Sequence, residues 1–285
     1  MKLTDLNTIR NLLNEFEAAP DKRYGQNFLI SERVVENIAE NCGASEKDGI
    51  LEIGPGIGVL TQKLCERYKK VVSVEIDNKM VSILGKTMAE YANFTLISND
   101  ILKTDLDALL KEHFDGMRVT VCANLPYYIT SPIIMFLLES EAPFDNVTVM
   151  IQKEVAERLT AKPGSADYGA ITPAVNYYAD VQKLFTVPAG CFYPAPKVDS
   201  AVVRFKLRKL PEYEPENKEL MFEMIKYAFL QRRKTLSNAL SANKTLSKDL
   251  IDAAIRDCGF DPRVRGEALS IGDFRRLSDA LTKKM

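Results

Sequence analysis

Metal ligands are scarce in this sequence. It has a single histidine, His113, and five cysteines, Cys42, Cys65, Cys122, Cys191 and Cys258, with no C-x-x-C pair among them. A lone histidine has no ligand companion and reads as a surface residue. Scattered cysteines in apolar surroundings read as free thiols of a reducing compartment, which excludes a disulfide framework. No apolar run approaches the roughly 20 residues of a membrane span, and the N-terminus lacks the apolar core of a signal peptide. The expectation is a cytoplasmic protein with no metal and no membrane partner, monomeric by default.

What the sequence does have is ordinary in bulk and uneven in distribution. At 285 residues, 46% hydrophobic and 27% charged, it has room for one large domain and a small one. The net charge of −1 conceals an asymmetry. Residues 1–203 carry 20 Lys and Arg against 27 acids, whereas residues 204–285 carry 18 against 12. A basic C-terminal third suggests an anionic partner for that part, although a solvated helical surface has the same signature.

From about residue 30 to 160, strand-like and helix-like segments alternate. Runs rich in β-branched residues at Ile50–Ile53, Val71–Val74, Phe94–Ile97, Val119–Val121 and Val147–Ile151 are separated by amphipathic stretches near 58–67, 78–90, 105–112, 131–140 and 153–161. Repeated β-α units of this spacing predict a mostly parallel sheet covered on both faces, an α/β fold. Ser31 is expected to cap a helix closed by Gly43, and Ser131 to cap another with Pro132 at its first position. Tyr168–Tyr178 reads as a further helix. Asp180–Val187 and Ser200–Leu207 read as a strand pair around the loop Pro188–Asp199. After the linker Leu210–Pro215, four helical patterns at 217–230, 232–241, 247–257 and 271–282 predict a compact helical domain.

One tetrapeptide carries chemistry. Asn124-Leu125-Pro126-Tyr127 follows the run Val119–Ala123, where a parallel strand would end. The amino group on an aromatic base is a poor nucleophile, because its lone pair is delocalised into the ring. An Asn side-chain oxygen and the Leu125 carbonyl can each accept one N–H and localise that lone pair. Pro126 stiffens the turn, and the Tyr127 ring offers a stacking surface. Alone, the tetrapeptide equally fits a strand-ending turn with an aromatic plug.

Its neighbours along the chain favour the chemical interpretation. Leu51-Glu52-Ile53-Gly54-Pro55-Gly56-Ile57-Gly58 ends one strand and opens a helix. The dinucleotide fingerprint requires a third glycine where Val59 stands, so pyrophosphate is disfavoured and S-adenosylmethionine suits the turn better. Glu75, about 20 residues on, stands at the distance for ribose hydroxyls. Asp100, in Ser98-Asn99-Asp100-Ile101, is placed to accept from an adenine amino group. With Asn124 ending the fourth strand, donor methyl and acceptor amine would meet at the topological switch point.

These residues together closely resemble the small-subunit rRNA adenine N6,N6-dimethyltransferases of the KsgA type, from about Lys22 to the C-terminus. Further blocks carry the resemblance: Lys22–Leu29, Met150–Leu159, Phe192–Ser200 and Phe229–Leu236. It implies a Rossmann-like class I S-adenosylmethionine-dependent methyltransferase domain over 22–208, a helical rRNA-binding domain over 209–285, and an N-terminal extension over 1–21. That extension matches no motif and reads as a mobile amphipathic segment over the site. The resemblance assigns Asn27, Leu29, Gly54, Gly56, Glu75, Ile76, Asp100, Ile101 and Asn124 to the cofactor, and Asn124, Leu125, Pro126, Tyr127 and Phe192 to catalysis. Phe192 would stack on the flipped adenine. Arg232, Arg233 and Lys234 would contact RNA phosphates. The implied reaction is dimethylation of two adjacent adenosines in a 3′-terminal hairpin loop of small-subunit rRNA, on the immature subunit. Three alternatives stay open: a large-subunit rRNA adenine methyltransferase of the macrolide-resistance type, a nicotinamide-dependent oxidoreductase, and a non-catalytic ribosome-assembly factor.

Overall fold

The computed structural model describes all residues except 21–25, 141, 209–213 and 244–245. The Lys22–Gly25 half of the N-terminal motif and residues 210–213 of the linker therefore lie outside the described residues. In chain order the elements are α1 (Leu6–Glu15), β1 (Phe28–Leu29), α2 (Glu32–Glu40), β2 (Gly49–Ile53), α3 (Val59–Arg67), β3 (Lys70–Glu75), α4 (Asn78–Thr87), β4 (Phe94–Ser98), α5 (Leu106–Phe114), β5 (Val119–Asn124) and α6 (Thr130–Glu139). They continue with β6 (Phe144–Gln152), α7 (Lys153–Leu159), α8 (Ile171–Tyr178), β7 (Ala179–Val187), β8 (Phe192–Tyr193), β9 (Ser200–Leu207), α9 (Lys218–Leu230), α10 (Leu236–Leu240), α11 (Lys248–Asp257) and α12 (Ile271–Thr282).

Seven strands form one sheet in the order β4-β3-β2-β5-β6-β9-β7. The first five run parallel, and β9 pairs antiparallel with β6. Every residue of β2 is buried, as expected of a central strand covered on both faces. The chain leaves β2 for β3 on one side and reaches β5 on the other, so the crevice opens beyond the C-terminal ends of β2 and β5. Loops after β2, β3, β4 and β5 all converge there.

Contacts divide the chain into two compact units, Met1–Ala156 with Gln182–Leu207, and Glu157–Val181 with Arg208–Met285. The division departs from the expected boundary, because residues 157–181 join the helical unit. Within that unit, Tyr177 of α8 belongs to the core of Met221, Met224, Leu236, Phe274 and Leu277. Asn217, Ser247 and Ser270 cap α9, α11 and α12, the last in a reciprocal capping box with Asp273.

Three local expectations are corrected. Residues 1–20 contain a packed helix where a mobile segment was expected. Asp5 caps α1, and Ile9, Leu12 and Leu13 are buried in one cluster with Phe28, Leu84 and Met88. Burying such side chains contributes about 1.5–3 kcal/mol each. Lys86 pairs with Glu15, and Lys79 donates to the Glu17 carbonyl. Helix α6 begins at Thr130, one residue before the expected cap, with Thr130 Oγ1 donating to the Pro126 carbonyl, 3.0 Å. Pro132 then falls in the first turn, where its missing N–H costs no helical bond. Ser31 sits at the N-cap of α2 without a side-chain capping bond.

Candidate active site

The cleft at the switch point is lined by residues from each converging loop: Gln26–Leu29, Glu52–Gly56, Val74–Ile76, Asn99–Ile101 and Asn124–Ile129. It encloses about 1050 Å³ of empty space, its open mouth included. All nine residues expected to hold the cofactor lie on its wall, as do Leu125, Pro126 and Tyr127. Gly54 and Gly56 both adopt left-handed backbone, with φ of 66° and 59°. A Cβ added at Gly54 would meet nothing within 4 Å, so the turn presents bare backbone to open space.

Electrostatics decide what the cleft can hold. Three carboxylates, Glu52, Glu75 and Asp100, lie on its wall, and no Lys, Arg or His is among the described lining residues. A pyrophosphate would find no basic side chain among the described residues of that wall. A sulfonium with an ammonium is favoured by the same field. The residues present therefore fit S-adenosylmethionine and disfavour a dinucleotide.

Each acid is already held in place. Glu75 Oε1 accepts from the backbone N–H groups of Ile76 and Asp77, both at 2.9 Å, and its Oε2 from Gly56, 3.1 Å. Burial raises its pKa, and the three backbone donors oppose the rise. One of roughly four acceptor positions remains for a ligand hydroxyl. Asp100 Oδ1 caps the short 3-10 turn Ile101–Lys103 by accepting from Leu102, 3.1 Å, and its Oδ2 lies 3.8 Å from the exposed Lys103 ammonium, a distance that leaves it able to accept from a ligand. Glu52, only 1% exposed, has its pKa pushed up to about 7 by burial, against a 2.7 Å hydrogen bond from Ser73 Oγ.

At the tip of β5, Asn124 Nδ2 donates to the Asn27 carbonyl, 3.4 Å. A carbonyl only accepts, so this contact fixes which end of the amide is the –NH₂ and leaves Oδ1 as the acceptor at the cleft wall. Gln26, next to Asn27, is tied by its Nε2 to Asp77 Oδ2, 2.8 Å, and Asp77 also caps α4. Gln26 and Asn27 are thus tied at the cleft wall to α4 and to the tip of β5. The backbone N–H of Leu125 donates to Met150, 3.1 Å, which anchors the turn to β6.

Of the two aromatic residues expected at the site, Tyr127 and Phe192, only the first lies on the wall. Tyr127 lines the cleft, and burial raises its pKa, so it stays a neutral phenol. Phe192 does not line the cleft. It is 3% exposed, packs in the core cluster, and pairs through β8 with Leu29 of β1. A stacking role for its ring would require leaving that core. Its contribution here is to hold Leu29, which does line the cleft. Tyr128, 58% exposed, lines the cleft instead. Its place directly after the tetrapeptide is the only sequence signal that could have marked it. Gln26 and Glu52 also lay unassigned inside motifs already in view.

In the helical unit, the three consecutive cations are not equivalent. Helix α9 ends at Leu230, and Arg232–Lys234 form a turn before the shortened α10. Arg232 is engaged internally: its Nε meets Glu267 Oε2 at 2.7 Å, and its Nη2 donates to the carbonyl of Ala166, 2.8 Å, and to that of Ser165, 3.4 Å. Arg233 and Lys234 are exposed and form no ion pair among the described residues.

The fold and the cleft agree with the comparisons. The sequence profile of the family described as ribosomal RNA adenine dimethylase matches residues 19–283. A curated relative named ribosomal RNA small subunit methyltransferase A, from Lachnoclostridium phytofermentans, is 46% identical over 277 residues, covering 96% of both chains. One of the same name from Bacillus mycoides is 44% identical over 279 residues, with 96% of both chains covered. Among solved structures, a dimethyladenosine transferase from Plasmodium falciparum is 27% identical with a TM-score of 0.76, covering 90% of this chain and 98% of that one. The 23S rRNA methyltransferase ErmE is 25% identical with a TM-score of 0.69, covering 90% and 100%. With a carboxylate-lined cleft at the switch point of a class I methyltransferase sheet and a matched profile spanning nearly its whole length, this chain belongs to the ribosomal RNA adenine dimethylase family.

Proposed function

We propose that this protein dimethylates N6 of two adjacent adenosines in a 3′-terminal hairpin loop of small-subunit rRNA, acting as a cytoplasmic monomer on the immature subunit. The observation that carries this is the juxtaposition of Asn124 and Tyr127 with a cleft whose charged wall groups, among the described residues, are all acids. The names of the curated relatives support the small subunit as the substrate. S-adenosylmethionine, when bound, supplies a methyl carbon carried on a sulfonium.

Everything else is positioning by this chain. Gly54 and Gly56 accommodate the methionine moiety, Glu75 the ribose, and Asp100 with Ile76 and Ile101 the adenine of the donor. Asn124 Oδ1 and the Leu125 carbonyl each accept one N–H of the target amine, which turns its lone pair toward the methyl. The Tyr127 ring, with Tyr128 beside it in the chain, receives the face of the extruded base and offsets part of its unstacking cost. Orientation in a water-poor cleft accounts for most of the acceleration.

The test offers small and large ribosomal subunits from cells lacking these modifications to the purified protein with labelled donor. Dimethyladenosine is expected in digests of the small-subunit rRNA only. Label in the large subunit, or in neither, overturns the assignment.

RNA contact is proposed for Arg233 and Lys234, with Arg232 bracing their turn. Arg233→Gln and Lys234→Gln should each flatten the salt dependence of RNA binding by about one unit of slope while leaving thermal stability unchanged. Arg232→Gln should instead destabilise the helical unit by up to about 1 kcal/mol, because it gives up the Glu267 pair and the bonds to two carbonyls at a partly solvated surface. Binding titrations across salt, paired with thermal melts, separate the two classes.

A further inference from the structure

Tyr127 is not held by packing alone. Its hydroxyl lies 2.6 Å from Ser200 Oγ, and Ser200 is fully buried at the first position of β9. Ser200 pairs with Gln152 at the end of β6, and the neighbouring strand β5 ends in Asn124 opposite Met150 of β6. The hydroxyl pair therefore ties the turn after β5 to a strand two places away in the sheet. A buried hydroxyl needs a partner, and these two groups serve each other. The anchor itself is rigid. Next to it, the Asp199 carbonyl accepts from Lys153 N–H and Asp199 Oδ1 from Ala189 N–H, both at 3.0 Å.

We propose that Ser200 is a positioning residue for methyl transfer, fixing through the Tyr127 hydroxyl the angle of the ring that receives the acceptor base. Ser200 does not line the cleft, so it acts only through Tyr127. Without the anchor the phenol ring can turn about its side-chain torsions, and the amine is presented over a wider range of angles to the methyl. This rests on Tyr127 being the wall that the acceptor base meets.

The test is a double-mutant cycle in steady-state methylation of unmodified small subunits. Ser200→Ala and Tyr127→Phe should each lower kcat about ten-fold while the KM for the methyl donor stays within about two-fold. The double variant should be no worse than about two-fold below either single, since both remove one shared contact. Ser200→Thr, which keeps the hydroxyl, should restore most of the turnover. Wild-type kcat in Ser200→Ala, or a double variant in which the two losses multiply, overturns the proposal. Should Ser200→Ala fail to fold, Tyr127→Phe decides alone, and unchanged turnover in it is the overturning result. If the wild-type protein methylates a different RNA, the small-subunit assignment fails, and the same cycle run on that RNA still judges Ser200.

Discussion

Replacing Asn124 by alanine is expected to lower kcat for methyl transfer about 10²–10³-fold, the range for removing one preorganised polar group that acts on the reacting atom. Methyl-donor affinity should shift by less than about five-fold, because the glycine turn, Glu75 and Asp100 remain on the cleft wall. The physical reason lies at both ends of one amide. Its Nδ2 is held by the Asn27 carbonyl, and its Oδ1 is thereby left to accept from the target amine. Asn124→Asp separates the two roles. It keeps an acceptor but sets a carboxylate oxygen against the Asn27 carbonyl, so it too should lose most activity. Single-turnover methylation with calorimetric donor binding distinguishes a chemical from a binding defect. Retained turnover in Asn124→Ala would refute the assignment.

The second large effect concerns Glu52. Its carboxyl is essentially unexposed, and burial, with a smaller contribution from the neighbouring charge of Glu75, raises its pKa from the ordinary 4.5 to about 7. Between those values the folded protein keeps a proton that the unfolded chain has released. Stability therefore falls as pH rises from about 4.5 to about 7 and is level above that. The full difference is about 3 kcal/mol. Glu52→Gln should remove this component of the pH dependence and raise the melting temperature most at pH 8. Glu75, also raised, contributes a residual slope of the same sign. Because Glu52 lines the cleft, a cationic occupant favours its ionised form, so donor binding near pH 6 should release a proton in wild type and much less in Glu52→Gln. Calorimetry in buffers of different ionisation enthalpy measures that proton. Equal release by both proteins would show that Glu52 is not the linked group.

Much of the site was legible because its residues stand in short continuous motifs. The glycine turn, Glu75, Asp100 and Asn124 close successive strands, and a parallel sheet places successive strand ends along one edge. The surroundings of Phe192 and Arg232 were not legible, for a common reason. A motif preserves the residue type but not the direction of its side chain. Phe192 was turned into the core by the β1–β8 pairing, a two-residue ribbon too short to leave any periodic signal. Arg232 was drawn inward by carbonyls of residues 165 and 166, distant in sequence. Helix α1 was missed because its three buried residues, Ile9, Leu12 and Leu13, have meaning only against a surface to cover.

Local rules in the sequence by themselves determined the alternation of strands and helices, the helical C-terminal region and the position of Asn124–Tyr127 at a strand end, since all of these arise from neighbours along the chain. Only the tertiary structure decided which of those side chains face the cleft, that Asn27 orients the Asn124 amide, that Ser200 anchors Tyr127, and that residues 157–181 join the helical unit. Each of these is a contact between segments remote in sequence. Burial and hydrogen-bond partnership across such distances come into being only when the chain is closed on itself.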